Sequence, residues 1–231
     1  MKIISKILYF FFRRLTLSYS QISMYLRCPL QYKLAYKLFI KTDQTPAMSY
    51  GSTIHDVLEV YHRLRRKVRE GDLEILYRLL DECWVREGFV DSPLEVTEEF
   101  KEKGRKLLKQ YYEENLGYDA EPLFLEQWFN VTIGGHRLNG VIDRIEFFPD
   151  GTYALLDYKT HFDKSTKEPI SEDLQMSLYQ IACVEDVDLA RNVFFERKKR
   201  LKRKLKKDVK EGRLPKSEFR SQYKKTMGEN K

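Results

Sequence analysis

Two aspartates and one lysine near a single hairpin turn are the side chains of this 231-residue chain whose spacing most directly suggests chemistry. The loop 149–151 reads Pro-Asp-Gly. Three-residue hairpin loops commonly combine a type I turn with a left-handed third residue, and Pro and Gly suit the first and third positions. In the register that this loop sets, the numbers of paired residues sum to 300. Asp143 then lies opposite Asp157, and Lys159, two residues further on, projects from the same face.

A two-residue turn over Asp150-Gly151 is the alternative. It would pair Asp143 with Tyr158 and place the two aspartates on opposite faces, because a shift of one residue inverts the face of every side chain. The register of this hairpin therefore decides whether the two carboxylates can act together.

Directly opposed carboxylates stand about 5 Å apart at their Cβ atoms and repel each other. Such a pair requires a cation, a shared proton or full solvation, and a hard divalent ion such as Mg2+ is the natural match. Two acids, a metal ion and a lysine suit hydrolysis of a phosphodiester, because the metal activates water and the lysine orients or polarises the nucleophile.

The other interpretation of these residues is a set of ordinary surface charge pairs, since 33% of the chain is charged. Against it, the apolar residues Val141-Ile142 and 154–156 immediately precede the two acids. Charges at the ends of buried strands are costly unless they have a role, and this favours a functional site.

The elements that must position these residues follow from the apolar spacing. We predict helical structure within 18–39, capped by Ser20 and broken at Pro29, then a linker at Lys41–Met48. The other predicted helices are Ser52–Glu70, Leu73–Trp84, Thr97–Asn115 (capped by Thr97) and Asp173–Val184. The predicted strands are Leu123–Ile133, Leu138–Phe148, Thr152–Thr160 and a short final one, Asn192–Phe195, with Gly134-Gly135 as a hairpin turn. This order predicts a mixed α/β domain.

The net charge of +7 is concentrated in the last 41 residues. Residues 191–231 hold 17 of the 42 Lys and Arg but only 5 of the 35 Asp and Glu, so the rest of the chain is mildly acidic. The tail, and 197–207 in particular, suits sequence-independent binding of phosphate backbones. A solvated or disordered charged end is the alternative.

The cysteines and the N-terminus indicate a cytoplasmic location. Three cysteines without a CxxC pair suggest neither a disulfide framework nor a self-contained zinc site. The apolar run at 7–12 is too short for a membrane span and ends in two arginines, so a mobile or helical extension is expected rather than a signal or anchor. A membrane-surface protein using 10–12 and the tail is a more distant alternative.

Five segments resemble, in order and over about Leu17–Ala182, the RecB-like branch of the PD-(D/E)xK nuclease superfamily. That branch includes the C-terminal nuclease domains of RecB and AddB helicase-nucleases and the CRISPR-associated adaptation exonucleases. The segments are SYSQISMYLRCPLQYKLAY (18–36), GSTIHDVLE (51–59), GVIDRIE (140–146), LLDYKT (155–160) and QMSLY (175–179).

The resemblance implies an α/β fold with a restriction-endonuclease-like core. In this fold a central mixed β-sheet is flanked by helices, and its β-meander carries the active site. It implies a nuclease domain at 17–196, with an N-terminal extension at 1–16 and a basic tail at 197–231.

The resemblance also implies the site residues. Asp143, Asp157 and Lys159 would be catalytic, and His55, the two aspartates and the backbone carbonyl of Tyr158 would bind Mg2+ or Mn2+. Without the resemblance, His55 would be a helix-surface histidine.

Three further residues are implied in supporting roles. Gln175 and Tyr179, at i and i+4 on one helix face, would orient the site and contact DNA; otherwise they would be surface and core residues respectively. Glu126 is a weaker candidate for a supporting acid, and a solvated strand position is an equal alternative.

One departure from the family concerns iron. Many relatives bind a [4Fe–4S] cluster with one N-terminal cysteine and three C-terminal ones. Cys28 matches the first position, but only Cys183 follows the catalytic motifs. We therefore expect no iron–sulfur cluster. Cys28 is then expected to be a buried structural thiol; the alternative is that the C-terminal part is truncated or replaced by the basic tail, which leaves Cys28 a ligand without partners.

The resulting expectation is a Mg2+- or Mn2+-dependent deoxyribonuclease, exonuclease-like on single strands or ends. It would act in DNA repair, recombination or CRISPR adaptation, with a helicase or another repair or adaptation protein as partner and no membrane. The alternative is a catalytically inactive DNA-binding or recruitment module with the same fold. The complete acid, acid and lysine set argues against that alternative.

Overall fold

The structure is a computed structural model of the chain. It describes residues 16–65, 67–118, 120–148, 150, 152–160, 173–218, 221 and 224. Residues 1–15 of the predicted N-terminal extension (1–16) and the turn residues Pro149 and Gly151 lie outside the described residues.

Helices precede and follow a β-meander in the described residues. The strands are β1 (Thr16–Leu17), β2 (Glu121–Ile133), β3 (His136–Phe147) and β4 (Tyr153–Leu156). The helices are α1 (Tyr19–Arg27), α2 (Pro29–Tyr32), a π-helical turn (Lys33–Lys37), α3 (Pro46–Leu64), α4 (Leu73–Glu82), α5 (Leu94–Asn115), α6 (Leu174–Glu185) and α7 (Val187–Lys210), with 3-10 turns at Glu87–Phe89 and Lys216–Glu218.

The sheet is mixed, and β3 lies at its centre. Strand β2 pairs along one edge of β3, while β1 and β4 share the other edge, β1 in parallel and β4 in antiparallel orientation. The turn between β2 and β3 uses Gly134 and Gly135, both at positive φ (55° and 82°), as the predicted two-residue hairpin requires. The mixed α/β prediction, with a central sheet and flanking helices, is confirmed.

The chain divides into two compact units. The first comprises 1–42, 128–141 and 168–190, and the second comprises 43–127, 142–167 and 191–231. The second unit has a helical core in which α3, α4 and α5 bury apolar side chains: Tyr50, Ile54, Val57, Leu58, Tyr61, Val68, Leu76, Leu79, Leu80, Phe89 and Leu108. No helix among the described residues has both the length and the apolar character needed to cross a bilayer.

Three predicted helix starts are wrong, and each error has a local cause. Ser18, not Ser20, caps α1, because its side chain accepts a hydrogen bond from the Gln21 N–H at 3.3 Å. Helix α3 begins inside the predicted linker, since the Thr45 hydroxyl caps it and Pro46 occupies the first turn, where proline is favoured. Helix α5 begins at Leu94, ahead of the predicted Thr97 cap.

The predicted final strand at Asn192–Phe195 is also wrong, because these residues lie inside helix α7. The basic segment that follows belongs to the same helix, and its Leu201 and Leu205 are buried, at 3% and 5% exposure. A four-residue leucine spacing within a charged run is the helical signal that the strand prediction missed. The domain limits at 16/17 and 196/197 stay predictions; α7 runs across the second of them.

The hairpin between β3 and β4 has the predicted register. Four pairs from Arg144↔Leu156 to Phe147↔Tyr153 all have residue numbers that sum to 300, and the Phe148 N–H donates to the Thr152 carbonyl at 2.9 Å. The alternative two-residue turn is therefore excluded. Asp143 and Asp157 lie one step beyond the last of these pairs, where β4 ends.

Candidate metal and catalytic site

Helix α3 supplies the histidine of the site. Ile54 and Leu58 turn into the core of the second unit, and this places His55 at the edge of that core with about a third of its side chain exposed (32%). Its Nδ1 lies 3.6 Å from Asp143 Oδ2, and its Nε2 lies 3.2 Å from the Tyr158 carbonyl oxygen. The predicted histidine therefore lies beside two predicted ligands.

Asp143 is held in place by the chain that follows β4. Its side chain is buried on β3 (8% exposure), and its Oδ2 accepts a hydrogen bond from the Tyr158 N–H at 2.6 Å. Tyr158 thus fixes Asp143 through its amide while its carbonyl faces His55.

Glu126 joins this group from β2. Its φ is +47°, a left-handed conformation that is uncommon for a residue other than glycine and costs about 1–2 kcal/mol. Donor atoms of His55, Glu126 and Asp143 all lie within 4.8 Å of one another. The weakest of the predicted candidates is therefore part of the one group of three possible metal ligands found among the described residues.

The cluster concentrates negative charge that is only partly solvated. Burial raises the pKa of Glu126 to about 7, and the carboxylates of Asp143 and Glu59 add to the rise. Burial also raises the pKa of Asp143, against the Tyr158 hydrogen bond that lowers it. Each carboxylate is thus harder to ionise because of its surroundings, and a bound cation would relieve that cost.

Asp157 and Lys159 form an ion pair beside the cluster. Lys159 Nζ contacts Asp157 Oδ2, with only 8% of the aspartate side chain exposed but 55% of the lysine side chain. The cluster of His55, Glu126 and Asp143 does not include Asp157, although the Asp157 charge contributes to the raised pKa of Asp143.

The donors of this site match a hard divalent ion. One imidazole nitrogen, two carboxylates and a main-chain carbonyl are ligands that Mn2+ accepts readily, and Mg2+ takes the oxygen donors together with water. The residues present therefore fit the metal that the sequence predicted.

Gln175 and Tyr179 belong to the other compact unit. They lie one turn apart on α6, as predicted, and the Gln175 side-chain amide donates to the Tyr179 hydroxyl at 2.7 Å. Both are buried (8% and 5%), and the Tyr179 ring packs edge-to-face on Phe129 at 5.9 Å. The role of the pair toward a substrate stays a prediction.

A buried cationic group on the same strand as Asp143 was missed by the sequence analysis. Arg144 is only 1% exposed, and its guanidinium pairs with Glu146 at 2.9 Å, donates to the Tyr111 hydroxyl at 2.7 Å and contacts His62. We call Arg144, Glu146, His62 and Tyr111 the arginine cluster. The sequence pattern that indicates this pair is Arg144 and Glu146, opposite charges two residues apart. Such residues share a face of a strand, and this strand was predicted to cross the core.

The arginine cluster also supports the ring of Tyr158. The Arg144 guanidinium lies 5.4 Å from the centre of that ring, within the range of a cation–π contact. Tyr158 is therefore held by its ring at Arg144 and by its amide at Asp143, which fixes the carbonyl that faces His55.

The three cysteines are free thiols with intermediate exposure. Cys28 is half-buried rather than buried as expected, and its Sγ accepts the Gln31 N–H at 3.5 Å at the start of α2. A local capping role accounts for this thiol without a metal. The expectation of no iron–sulfur cluster stays a prediction.

Comparison with known proteins identifies the family. A family model described as the PD-(D/E)XK nuclease superfamily matches residues 16–229, nearly the whole chain. The chain belongs to this superfamily, whose members are nucleases that use divalent metal ions. Searches of the curated proteins and of the solved structures return no match.

Proposed function

We propose that this PD-(D/E)XK nuclease hydrolyses phosphodiester bonds of DNA with Mn2+ or Mg2+. The observation that carries the proposal is the convergence of His55, Glu126 and Asp143 on one point, next to the Asp157–Lys159 ion pair. The pKa values of Glu126 and Asp143 are raised, and partly buried acids of this kind beside a histidine and a lysine suit metal-assisted hydrolysis.

The metal would be held by His55, Glu126, Asp143 and the Tyr158 carbonyl, with Asp157 next to them. When bound, such an ion polarises a phosphate oxygen and makes a nearby water more acidic. The imidazole ligand favours Mn2+ over Mg2+, because Mg2+ prefers oxygen ligands.

The protein's own groups would position the reactants. The Lys159 ammonium pairs with Asp157, and about half of the lysine side chain is exposed; there it would orient an attacking water or stabilise charge on the phosphate. Asp143 keeps its orientation through the Tyr158 N–H, and that hydrogen bond fixes the carboxylate before a substrate binds.

Finer assignments are also proposed. Five segments resemble the RecB-like branch in the same order along the chain, and they support an exonuclease-like activity on single strands or ends. The same resemblance supports a role in DNA repair, recombination or CRISPR adaptation, with a helicase or another repair or adaptation protein as partner. The hydrogen-bonded Gln175–Tyr179 pair on α6 supports the same branch. The sparse cysteines support a cytoplasmic location.

A catalytically inactive DNA-binding module is the alternative function. It would need the same fold and basic surface but no metal chemistry. The raised pKa of Glu126 and the crowding of acids around His55 are unfavourable features that a module without a metal would have no reason to keep.

The test is cleavage of end-labelled single- and double-stranded DNA in Mn2+, Mg2+ or EDTA. Wild-type protein is expected to cleave in Mn2+ and not in EDTA, and Asp157→Ala and Lys159→Ala are expected to be inactive. The exposed Asp91→Ala and Lys106→Ala serve as matched controls and should retain full activity. Equal activity of wild type, Asp157→Ala and Lys159→Ala would indicate a contaminating nuclease, whereas an inactive wild type that still binds DNA would favour the binding module.

A further inference from the structure

Helix α7 has two chemically distinct faces. Residues 198–207 contain eight Lys or Arg, no acid and two leucines. Both leucines are buried, with Leu214 packed against them, while Lys199, Lys202, Arg203, Lys204, Lys206 and Lys207 are exposed. The helix is therefore docked by its apolar side and presents basic groups on the rest of its surface.

Arg200 attaches this helix to the first residues of β2. Its guanidinium pairs with Glu121 at 3.1 Å and donates to the Pro122 carbonyl at 2.8 Å, with only 11% of its side chain exposed. A long basic side chain that is buried and doubly bonded is ordered, so the neighbouring basic residues are presented from a fixed position. This contrasts with the solvated or disordered end that was the alternative expectation.

The attachment point can be related to the site along β2. Glu121 precedes Glu126 by five residues along β2, which is roughly 17 Å at the rise of a strand. Lys204 is close enough to Asp150 for its charge to contribute to the lowered pKa of that carboxylate, after the hydrogen bonds from Thr152. Asp150 lies in the turn beyond the end of β3, and Asp143 lies four residues before that end. Strands β2 and β3 are neighbours joined by the tight Gly134-Gly135 turn. Glu121 and Asp150 therefore both lie farther from that turn than the site residues Glu126 and Asp143 do.

We propose that the exposed basic face of α7 binds the DNA backbone about five base pairs away from the bond that is cleaved, an inference that rests on DNA as the substrate of the proposed function. The base pairs of a duplex rise about 3.4 Å each along the helix axis, so roughly 17 Å along that axis corresponds to about five base pairs. Ten helical residues span about 15 Å, which is enough to follow several phosphates. The face would add affinity without reading sequence, because phosphate contacts do not depend on the bases.

A membrane surface is the other anionic partner that such a helix could fit, but the burial pattern disfavours it. Helices that lie on membranes insert an apolar face into the lipid. In α7 the apolar residues Leu201 and Leu205 are already covered by the protein. Over 198–207 the exposed side chains are therefore basic, and this suits a phosphate backbone.

The test compares two triple variants of matched charge change. The first is Lys202→Gln, Arg203→Gln and Lys206→Gln on α7; the control is Lys103→Gln, Lys106→Gln and Lys109→Gln on α5. Binding to fluorescent DNA hairpins with stems of 20 or 4 base pairs is measured by anisotropy in EDTA, from 50 to 200 mM salt. On the long stem, the α7 variant is expected to weaken binding about 10- to 100-fold and to reduce the slope of log K against log salt by about 2–3, since each lost phosphate contact contributes about 0.9. The α5 variant should change neither quantity.

Two further comparisons separate a specific surface from a general loss of charge or fold. On the 4-base-pair stem, which cannot reach α7 from the site, wild type and the α7 variant should bind alike. A charge-preserving variant, Lys202→Arg, Arg203→Lys and Lys206→Arg, should retain the wild-type slope. Three results would each overturn the proposal. The salt slope could be unchanged in the α7 Gln variant, or its affinity could fall equally on both stems. Wild type could also float with anionic vesicles and fail to bind DNA. If wild type cleaves DNA but the α7 Gln variant keeps the wild-type slope, the proposal is refuted and the proposed function is not. If the α7 Gln variant shows the expected reduction in slope but wild type does not cleave DNA, the proposed function is refuted and DNA binding by α7 is not.

Discussion

Asp143 and Arg144 are neighbours on β3 with opposite charges, and their surroundings differ in one decisive respect. Arg144 is buried with a carboxylate at 2.9 Å and a hydroxyl at 2.7 Å, so its charge is compensated within the protein. Asp143 is buried beside another carboxylate, Glu126, with the His55 imidazole at 3.6 Å and the Tyr158 N–H at 2.6 Å. The carboxylates of the His55, Glu126 and Asp143 group, the acidic cluster, therefore repel each other, whereas the charges of the arginine cluster attract.

The Arg144 charge therefore stabilises the fold, whereas we expect the Asp143 charge to bind a ligand. A compensated buried charge is strongly destabilising to remove, because its partner is left behind. An acid that repels its neighbours destabilises the free protein and is retained for what it binds. Substitutions at the two adjacent positions should accordingly affect different measurements.

The largest effect is expected from Asp143→Asn. Nuclease activity in Mn2+ should fall at least about 10^3-fold, equivalent to about 4 kcal/mol, because the group would no longer hold or complement the cation. The metal-free protein should unfold at the same or a higher urea concentration than wild type, since a like charge is removed while the side-chain oxygen can still accept the Tyr158 N–H.

The control for Asp143→Asn is the response of the melting temperature to Mn2+. Wild type should be stabilised by the ion, because a ligand that binds only the native state raises stability, and the variant should not respond. A variant that keeps the Mn2+ response would show that Asp143 is not a ligand.

A loss of stability of about 3 kcal/mol is expected from Arg144→Met, since Glu146 would remain buried without its partner. Urea unfolding in EDTA measures it. The site residues keep their identity in this variant, so activity at low temperature should fall by less than in Asp143→Asn.

The double variant Arg144→Met with Glu146→Gln provides the matching control. Because both charges are then removed, it should recover at least about half of the lost stability. If the single variant were as stable as wild type, the arginine cluster would not have the structural role that separates it from the acidic cluster.

The smallest effect concerns pH and Glu126. Its pKa is raised to about 7, and the ligand form is the deprotonated one, so a proton competes with the metal below that pH. The dissociation constant for Mn2+ should therefore rise as pH falls below 7, by up to tenfold per unit (about 1.4 kcal/mol), and should level off above pH 8. Titration calorimetry of metal-free protein measures this dependence. In Glu126→Gln the binding should be weaker and the dependence between pH 6 and 8 should flatten; an unchanged dependence would assign it to another group.

The register of the β3–β4 hairpin could be predicted from the sequence. Turn chemistry at 149–151 predicted the β3–β4 register, because a three-residue loop admits one pairing of the strands that follow. The i, i+4 placement of Gln175 and Tyr179 followed from helix geometry in the same way. Both features depend on short stretches of chain, and local preferences are sufficient to determine them.

The position of Glu126 and the partners of Arg144 other than Glu146 depended on information that a local pattern does not carry. Glu126 reaches the cluster through a left-handed backbone conformation within β2, and the sequence around it reads as an ordinary strand. Arg144 is buried because Tyr111 and His62, from two distant helices, supply partners for it. These compensating groups come together only in the folded chain.

The backbone at Glu126 has a consequence for how this protein would change under selection. Glycine adopts a φ of +47° without steric cost, so Glu126→Gly would relax the strand while removing one of the carboxylates that crowd His55. A population of variants screened only for folding or expression would therefore accumulate glycine at this position, and one screened for activity would retain the strained glutamate. Which residue survives at position 126 would record which of the two properties had been selected.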